Sequence, residues 1–599
     1  MNLIDHLRSA FRPVLTELAP DLAKVPDYLA MIKPAQNADH GDYQANVAMS
    51  LGKQLGKKPV EVAAEIIQKM LIGDLLETPT VTGPGFINLR LRNEWLAARV
   101  REMAADDRFG IDPVAKPRTY VIDYSSPNVA KPLHVGHLRS TIIGESLSRL
   151  LRFLGHNVIS DNHLGDWGTQ FGMLLYGYKN HLDAAAYETN PVAELARLYV
   201  LVRNLTKGTA DEETDQKTLS PAELAVLNAC REETVKLHAG DPENVALWQK
   251  FMPACLEEVQ AIYRRLDVTF DHQHGESFYN PMLPAIVADL KAKGIAKESQ
   301  GAIVIEAGKQ VSLVQKRDGA FTYTTSDLAT IQYRVQSFHP DAMLYVVDFR
   351  QGDHFKNLFA AARRWGYEAI ELTHVSFGSV LGEDRRPLKT RDGTAIGLDG
   401  LLDEAVAEGA RKYEQSRQER IALGKEVAEI TNEERRLVAE TVGLGAVKYA
   451  DLSQNRTSDY IFSYEKMLAT DGNTATYMQY AYARCRSIFR EGAEDEERFQ
   501  TKPPVVQLVE PEERALALQL LRFGDSLEAA ATEYLPHFLT AYLWDLAKAL
   551  SSFYAARKCA VLKAETPELR DSRLLLCDLT ARTIRQTLEL LGIRTLERM

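Results

Sequence analysis

Residues 123–141 read Asp-Tyr-Ser-Ser-Pro-Asn-Val-Ala-Lys-Pro-Leu-His-Val-Gly-His-Leu-Arg-Ser-Thr and connect an apolar segment to a helical pattern. Thr119–Tyr124, which overlaps the start of this stretch, is rich in β-branched and aromatic residues and predicts a buried strand. Leu138–Leu154 carries apolar side chains at helical spacing, and Gly155 predicts the end of that helix. A strand, a turn and a helix in this order direct backbone N–H groups and the positive end of a helix dipole at an anion.

Two histidines lie three residues apart in this turn. We expect His134 and His137 on one face of the first helical turn, with Gly136 letting a ligand approach the backbone. This arrangement predicts a nucleotide phosphate site with imidazoles as hydrogen-bond donors. For a bare H-x-G-H pattern, two surface histidines at a helix start are the alternative.

The whole stretch is more specific than its two histidines. It resembles the HIGH signature of class I aminoacyl-tRNA synthetases, in the extended form S-S-P-N-x-A-K-P-x-H-x-G-H-x-R-S-T of arginyl-tRNA synthetases. Residues 161–172, 323–329, 351–354 and 378–391 resemble the same branch. The resemblance implies ATP with Mg²⁺ as a substrate, activation of L-arginine to arginyl-adenylate, and transfer to the 3′ end of tRNA(Arg).

The resemblance also implies roles for individual residues. Catalysis is expected from His134, His137 and Lys131. Contacts to ATP are expected from Asn128, Pro132, His134, Gly136, His137, His354, Val380, Lys389 and Arg391. Contacts to arginine are expected from Asp123, Ser125, Asn128, His134, Tyr323, Asp327 and Gln351.

The segment Pro387–Arg391 stands where class I enzymes carry the K-M-S-K-S loop, but it lacks the second lysine of that motif. The resemblance implies that Lys131 supplies the missing positive charge and that arginine activation needs bound tRNA. A solvated basic turn is the alternative for this loop.

Acids and amides suit an arginine substrate, because a guanidinium presents planar donors that carboxylates and carbonyl oxygens accept in bidentate geometry. Taken singly, each residue of the arginine set could instead be a helix cap or a core hydrogen-bonding group. Their joint match favours a pocket. Such a pocket rejects uncharged analogues, so no editing domain is expected.

The length and the pattern of the chain predict a multidomain α/β protein, because 599 residues exceed one hydrophobic core. The pattern of residues 1–112 predicts a small α/β domain. The resemblance implies that this domain contacts the tRNA elbow, and a purely structural cap is the alternative. A Rossmann-type catalytic domain is expected over 113–390, with a helical insertion at about 180–265. A helical connecting region over 391–470 and an all-helical anticodon-binding domain over 471–599 follow. A helix bundle for protein contacts would show the same periodicity as this last domain.

Some element boundaries follow from periodicity alone. We expect a helix over Val60–Leu76, a strand over His374–Val380, and a helix cap at Thr325 or Ser326. The C-terminal patterns predict helices over Leu516–Phe523 and Leu535–Arg557.

Composition bounds the class of protein. The apolar fraction of 45% and the charged fraction of 26% are typical of a soluble globular protein. The five cysteines are scattered without a C-x-x-C pair, so we expect no disulfide framework, no protein-bound zinc and a cytoplasmic location. The chain contains no run of about 18 apolar residues, so no membrane partner is expected. A net charge of −11 does not exclude RNA, since phosphate contacts need only a local basic surface. We expect a monomer.

Three other functions compete with an arginyl enzyme. One is another class I synthetase such as the cysteinyl enzyme, whose zinc-binding cysteines are absent here. The second is a non-catalytic RNA-binding relative, which would not need His134, His137, Lys131, Asp327 and Gln351 together. The third is a nucleotidyltransferase that acts without tRNA, against which the helical C-terminal region argues.

Overall fold

The computed structural model describes residues 2–207, 219–307, 310–382, 384–386, 397–424 and 429–599. The chain divides into two units. The first unit holds the residues up to Asp112 together with Thr470–Glu589 and Arg594–Met599. The second unit holds Pro113–Ala469 and Leu590–Ile593. Within the described ranges, no helix combines the length and the apolar character needed to cross a bilayer.

The N-terminal part of the first unit is an α/β domain with α1 (Leu3–Leu18), α2 (Val25–Leu29), β1 (Ile32–Pro34), β2 (Tyr43–Ala45), α3 (Val47–Leu55), α4 (Pro59–Lys69), β3 (Thr80–Thr82), β4 (Phe86–Leu89) and α5 (Asn93–Ala105). Its strands form an antiparallel sheet of order β1-β2-β4-β3. The buried side chains Leu3, Leu7, Phe11 and Val14 recur every three or four residues in α1, so one face of this helix packs into the core.

The second unit begins with β5 (Thr119–Asp123), α6 (Val135–Phe153) and β6 (Asn157–Asp161). A helical region follows, with α7 (Thr169–His181), α8 (Ala184–Thr189), α9 (Pro191–Leu205), α10 (Pro221–His238), α11 (Pro242–Leu266), α12 (Glu276–Tyr279) and α13 (Leu283–Ala292). Next come β7 (Ala296–Ser299), β8 (Ala302–Ala307), β9 (Gln310–Gln315), α14 (Tyr323–Phe338), β10 (Ala342–Tyr345), α15 (Gly352–Arg364) and β11 (Glu371–His374). The unit continues with β12 (Val380–Leu381), α16 (Leu398–Ala422), α17 (Asn432–Leu452), β13 (Tyr460–Ile461) and α18 (Tyr464–Met467).

The central sheet of the second unit is parallel and has the order β11-β10-β5-β6. Its register pairs Asp123 with Tyr345 on one side and with Asp161 on the other, so three strands end at the same level. Parallel sheets of this kind bind ligands at the carboxyl ends of their strands. The predicted strand, turn and helix around the H-x-G-H stretch are confirmed, and Gly155 follows the helix with a left-handed φ of 91°.

The C-terminal part of the first unit is helical, as predicted, and consists of α19 (Ala475–Gly492), α20 (Glu497–Thr501), α21 (Pro511–Leu521), α22 (Phe523–Glu533), α23 (His537–Ala555) and α24 (Pro567–Leu590). It packs on the N-terminal domain within this unit. Arg514 on α21 donates to both carboxylate oxygens of Asp42, at 2.7 and 2.6 Å. The two ends of the chain therefore share a buried ion pair, which the sequence pattern did not predict.

Three of the predicted boundaries are wrong. The helix predicted to reach Leu76 ends at Lys69, because Leu76 instead forms a bridge to Leu91 beside the small sheet. The strand predicted over His374–Val380 ends at His374. Val380 pairs with Tyr460 instead, in a separate two-stranded sheet.

The cap of α14 is the third error, because Thr322 occupies the N-cap position. Thr325 uses its hydroxyl to donate to the carbonyl oxygen of Val314.

Candidate active site

Two aspartates at adjacent strand ends form the floor of the candidate site. Asp123 ends β5 and Asp161 ends β6, and both are buried. Arg334 on α14 bridges them, with Nη2 donating to Asp123 Oδ2 at 2.7 Å and Nε donating to Asp161 Oδ2 at 2.9 Å. The second oxygen of Asp123 accepts the Ser126 hydroxyl at 2.6 Å. Both carboxylate oxygens of Asp123 are thus engaged within the chain.

The turn after β5 holds two consecutive serines in the left-handed region. Ser125 has a φ of 70° and Ser126 a φ of 44°, a conformation that costs a non-glycine residue about 1–3 kcal/mol. Buried side chains fix it: Ser140 Oγ accepts the Ser125 N–H and Asn162 Oδ1 accepts the Ser126 N–H. The Ser125 hydroxyl is itself hydrogen-bonded to the hydroxyl of Tyr263 and accepts the hydroxyl of Thr141, both at 2.8 Å. A substrate contact at Ser125 would therefore use its backbone.

The loop after β6 lies against this turn. The N–H of Gly165 donates to Pro127 and the N–H of Val129 donates to Gly165, at 2.9 and 3.1 Å. Asn128 lies between these two bonds and forms a bridge with Gly165. Residues 161–172 and 123–141 therefore build one continuous surface at the strand ends.

His134 and His137 close the start of α6 in a reciprocal pair of hydrogen bonds. His134 is the N-cap residue, so it lies just outside the first helical turn. The His134 N–H donates to His137 Nδ1, and the Gly136 N–H donates to His134 Nδ1, both at 3.1 Å. The ring centroids are 4.0 Å apart.

Both imidazoles are neutral near pH 7. Burial, together with the charge of His134, lowers the pKa of His137 to about 3. Burial and the charge of Lys131 lower the pKa of His134 as well. Because each Nδ1 accepts a hydrogen bond, each ring carries its proton on Nε2. The pair therefore presents two uncharged N–H donors at a helix N-terminus.

Gly136 makes this geometry possible. A Cβ at this position would lie 2.8 Å from Cε1 of His134, too close for the ring to stay in place. Pro132 and Lys131 lie immediately before the histidines and are partly exposed, and the Lys131 N–H donates to the carbonyl oxygen of Asn128. The predicted catalytic and nucleotide residues of this stretch are therefore neighbours in the structure.

The predicted arginine contacts from the second half of the sheet surround the start of α14 and α15. Asp327 Oδ2 is 2.7 Å from His354 Nε2, and this hydrogen bond is the main cause of the raised pKa of His354. Tyr323 is the first residue of α14 and is 70% exposed. Gln351 is the exposed N-cap residue of α15. Tyr323 and Gln351 lie at the open rim, and Asp327 lies deeper.

Negative charge accumulates on this side of the site. Burial raises the pKa of Tyr345 at the end of β10, and the charges of Arg334, Asp123 and Asp327 act on it as well. Burial, with Asp166 and Asp327 nearby, raises the pKa of Glu276 to about 7 against the opposing effect of His163. Across the described residues, no group of three or more His, Cys, Asp or Glu side chains is arranged to hold a metal ion.

The third predicted region is only partly described. Val380 is buried in β12, so a contact with ATP would use its backbone. Lys389 and Arg391 lie outside the described residues. The chain just before β12 is held by Arg139 of α6, whose Nη1 donates to the carbonyl oxygens of Gly378 and Ser458 at 2.7 and 3.1 Å. The H-x-G-H helix is thus tied to the segment that leads towards residues 387–391.

The sequence patterns did not predict that Arg334 and Arg139 take part in this framework. A signal was available for Arg334, since a charged residue seven positions after Asp327 lies on nearly the same face of α14. Arg139 lies inside the quoted stretch, but its bonds to Gly378 and Ser458 join segments that are distant in sequence. Their roles depend on tertiary contacts.

Three protein-family models together match most of the chain. The model described as "tRNA synthetases class I (R), catalytic domain" matches residues 100–464. "Arginyl tRNA synthetase N terminal domain" matches residues 5–91, and "DALR anticodon binding domain" matches residues 478–599.

Individual proteins agree with these models over the full length. The arginine–tRNA ligase of Rhodopirellula baltica is 42% identical, and the match covers 100% of both chains. That of Escherichia coli is 43% identical over 95% of each chain. Arginyl-tRNA synthetase from Plasmodium falciparum has a similar structure, with a TM-score of 0.82 and 28% identity over 100% of both chains. The Thermus thermophilus enzyme gives 0.79 and 25% over the same coverage. The chain therefore belongs to the arginyl-tRNA synthetases, within the class I aminoacyl-tRNA synthetases.

Proposed function

We propose that the site at the carboxyl ends of β5, β6 and β10 joins L-arginine to ATP and transfers the arginine to the 3′ end of tRNA(Arg), releasing AMP and diphosphate. As a member of its family, the chain is an aminoacyl-tRNA ligase. The observation that carries the proposal is the pairing of two neutral imidazole donors at the start of α6 with a set of buried carboxylates beside them. The imidazole donors suit an anionic phosphate chain, and the carboxylates suit a cationic amino acid.

In the first step, a carboxylate oxygen of arginine attacks the α-phosphorus of ATP, and the bond to the bridging oxygen of pyrophosphate breaks. The substrate is the magnesium complex of ATP. His134 and His137 donate their Nε2–H groups to phosphate oxygens, and the helix dipole of α6 adds to this stabilisation. Lys131, whose charge acts on both imidazoles, stabilises the negative charge that develops on pyrophosphate. Lys389 and Arg391 are proposed to contact the same phosphates.

Arginine is held on the acidic side. Asp327 is the carboxylate proposed for its guanidinium, because its partner His354 is a titratable group that releases its proton, and with it the ion pair, as the pH rises through its raised pKa. Tyr323 and Gln351 at the rim, together with Asp123 and the backbone of Ser125, complete the proposed contacts. Asn128 is proposed to hold the α-amino and carboxylate groups next to the histidines.

The remaining parts of the chain are proposed to bind tRNA. The helical region from α19 to α24 matches an anticodon-binding domain, and the N-terminal α/β domain is proposed to contact the tRNA elbow. We further propose that the enzyme acts as a monomer in the cytoplasm.

The direct test is aminoacylation of tRNA(Arg) with labelled arginine. We expect labelled tRNA that requires ATP and magnesium, with no product when labelled cysteine replaces arginine. Charging with cysteine, or tRNA binding without any charging under conditions that keep the protein folded, would contradict the proposal.

A further inference from the structure

Arg334 is a buried guanidinium at the floor of the arginine site. Its side chain is 0% exposed, and it lies over the ring of Tyr345 at 5.5 Å from the centroid. Nη2 is 2.7 Å from Asp123 and Nε is 2.9 Å from Asp161. One arginine of the chain thus occupies the two carboxylates that end neighbouring strands.

Without this arginine, Asp123 and Asp161 would be two buried like charges in register. Burial and mutual repulsion both favour protonation of a carboxyl group, so one of the pair would take up a proton. With Arg334 present, the effect of burial on Asp123 is outweighed by Arg334, His163 and Ser126, and its pKa is lowered. Asp123 therefore stays ionised in the free enzyme.

Arg334 also limits how Asp123 can meet a substrate. Oδ2 of Asp123 already accepts a hydrogen bond from Arg334, and Oδ1 of Asp123 accepts the Ser126 hydroxyl. Each carboxylate oxygen keeps a further acceptor site, so a substrate guanidinium can reach Asp123 only through these remaining lone pairs. The bond from Arg334 fixes the orientation of the carboxylate and therefore the direction of these lone pairs.

We infer that Arg334 is a positioning residue for arginine specificity, which holds Asp123 ionised and in the one orientation that accepts the substrate. Arg334 contacts neither substrate, and its effect passes through Asp123. The inference rests on the proposed function, since it assumes that Asp123 takes part in arginine binding. It predicts that substitutions at Arg334 weaken the binding of substrate arginine much more than the binding of ATP.

The experiment compares Arg334→Gln and Arg334→Lys with the wild-type enzyme, measuring KM for arginine and for ATP in tRNA aminoacylation. For Arg334→Gln we expect KM for arginine to rise on the order of 100-fold, because a charged hydrogen-bonded pair is lost. Arg334→Lys keeps the charge but not the planar fork, so a smaller rise of about tenfold is expected. KM for ATP should change by less than about twofold in both.

A matched control separates this role from stability. Arg573 is also buried, and its Nε donates to Glu513 at 2.6 Å in the helical part of the first unit. Arg573→Gln should lower the melting temperature while leaving KM for arginine unchanged. The inference is overturned if folded Arg334→Gln keeps the wild-type KM for arginine, or if the KM values for arginine and ATP rise together.

If the glutamine variant does not fold, the lysine variant decides by the same ratio of KM values. The wild-type arm tests the proposed function by itself. Failure of the wild-type enzyme to charge arginine would refute that function, whereas normal wild-type charging with unaffected variants would refute only the role of Arg334.

Discussion

The two sides of the candidate active site have opposite electrostatic character. At the start of α6, His134 and His137 are kept neutral by burial and by nearby positive charge, so they offer donors without offering cations. On the other side, Arg334 keeps Asp123 ionised, and Asp327 near the start of α14 pairs with His354 of α15. The contrast agrees with the proposed function, in which the imidazole side stabilises charge that moves during the reaction and the carboxylate side recognises the constant charge of the substrate.

The largest expected effect concerns the moving charge. Lys131→Ala should slow arginine-dependent pyrophosphate exchange on the order of 100- to 1000-fold, because a cation near the departing pyrophosphate acts mainly in the transition state. Arginine binding should change by less than about threefold. The check is the exchange rate together with the KM values for arginine and for ATP. Lys291→Ala, at an exposed position of α13, is the control. Equal losses in rate and in arginine binding would contradict this role.

The constant charge is tested at Asp327. Asp327→Asn should raise KM for arginine by about 10- to 100-fold, since a charge-assisted hydrogen bond becomes a neutral one. KM for ATP should stay close to that of the wild type. Asp353→Asn is a suitable control, because Asp353 lies beside His354 on α15 but is exposed and paired with Lys356. A variant at Asp327 that binds arginine normally would remove it from the pocket.

A smaller effect is expected from a substitution at Gly136, because it shifts the imidazole donor of His134 without removing it. In Gly136→Ala the new Cβ would lie 2.8 Å from His134 Cε1, so the ring has to move. Since a small misplacement of a catalytic group is costly, pyrophosphate exchange should slow about tenfold. Gly400→Ala in the first turn of α16 adds a Cβ into open space and should be silent. Wild-type exchange in Gly136→Ala would show that the position of the His134 ring is unimportant.

The smallest effect is a pH dependence on the arginine side alone. Because the folded-state pKa of His354 is raised above 6.5, its ion pair with Asp327 is fully formed below pH 6.5 and is lost as the pH rises through the raised pKa. Loss of that pair frees Asp327 for the substrate. KM for arginine should therefore fall a few-fold as the pH rises through this range, and the change should vanish in Asp327→Asn. A KM for arginine that rises over this range would contradict the assignment.

The same contrast explains how much could be predicted from the sequence. The proposed phosphate side comes from one contiguous stretch, so the strand, the helix and the proximity of Lys131, His134 and His137 could be predicted from local pattern. The arginine side is assembled from separate segments. The bond between Arg334 and Asp123 depends on the register of the sheet and on the rotation of α14, neither of which local periodicity specifies.

The first unit shows a second limit of sequence patterns. The ion pair between Asp42 and Arg514 joins residues far apart in the chain, and each alone has the pattern of a surface charge. The early end of α4 and of the strand at His374 has the same origin, since apolar residues there pair with other segments instead of continuing the element.

The most direct test of the proposed function is ATP–pyrophosphate exchange with arginine, measured with and without tRNA(Arg), with cysteine and lysine as alternative substrates. We predict exchange with arginine only, and only when tRNA is added. Exchange supported by cysteine or lysine, or no exchange with any amino acid while tRNA still binds, would contradict the assignment of arginine as the substrate. Strong exchange with arginine in the absence of tRNA would keep the arginine assignment and refute the tRNA requirement.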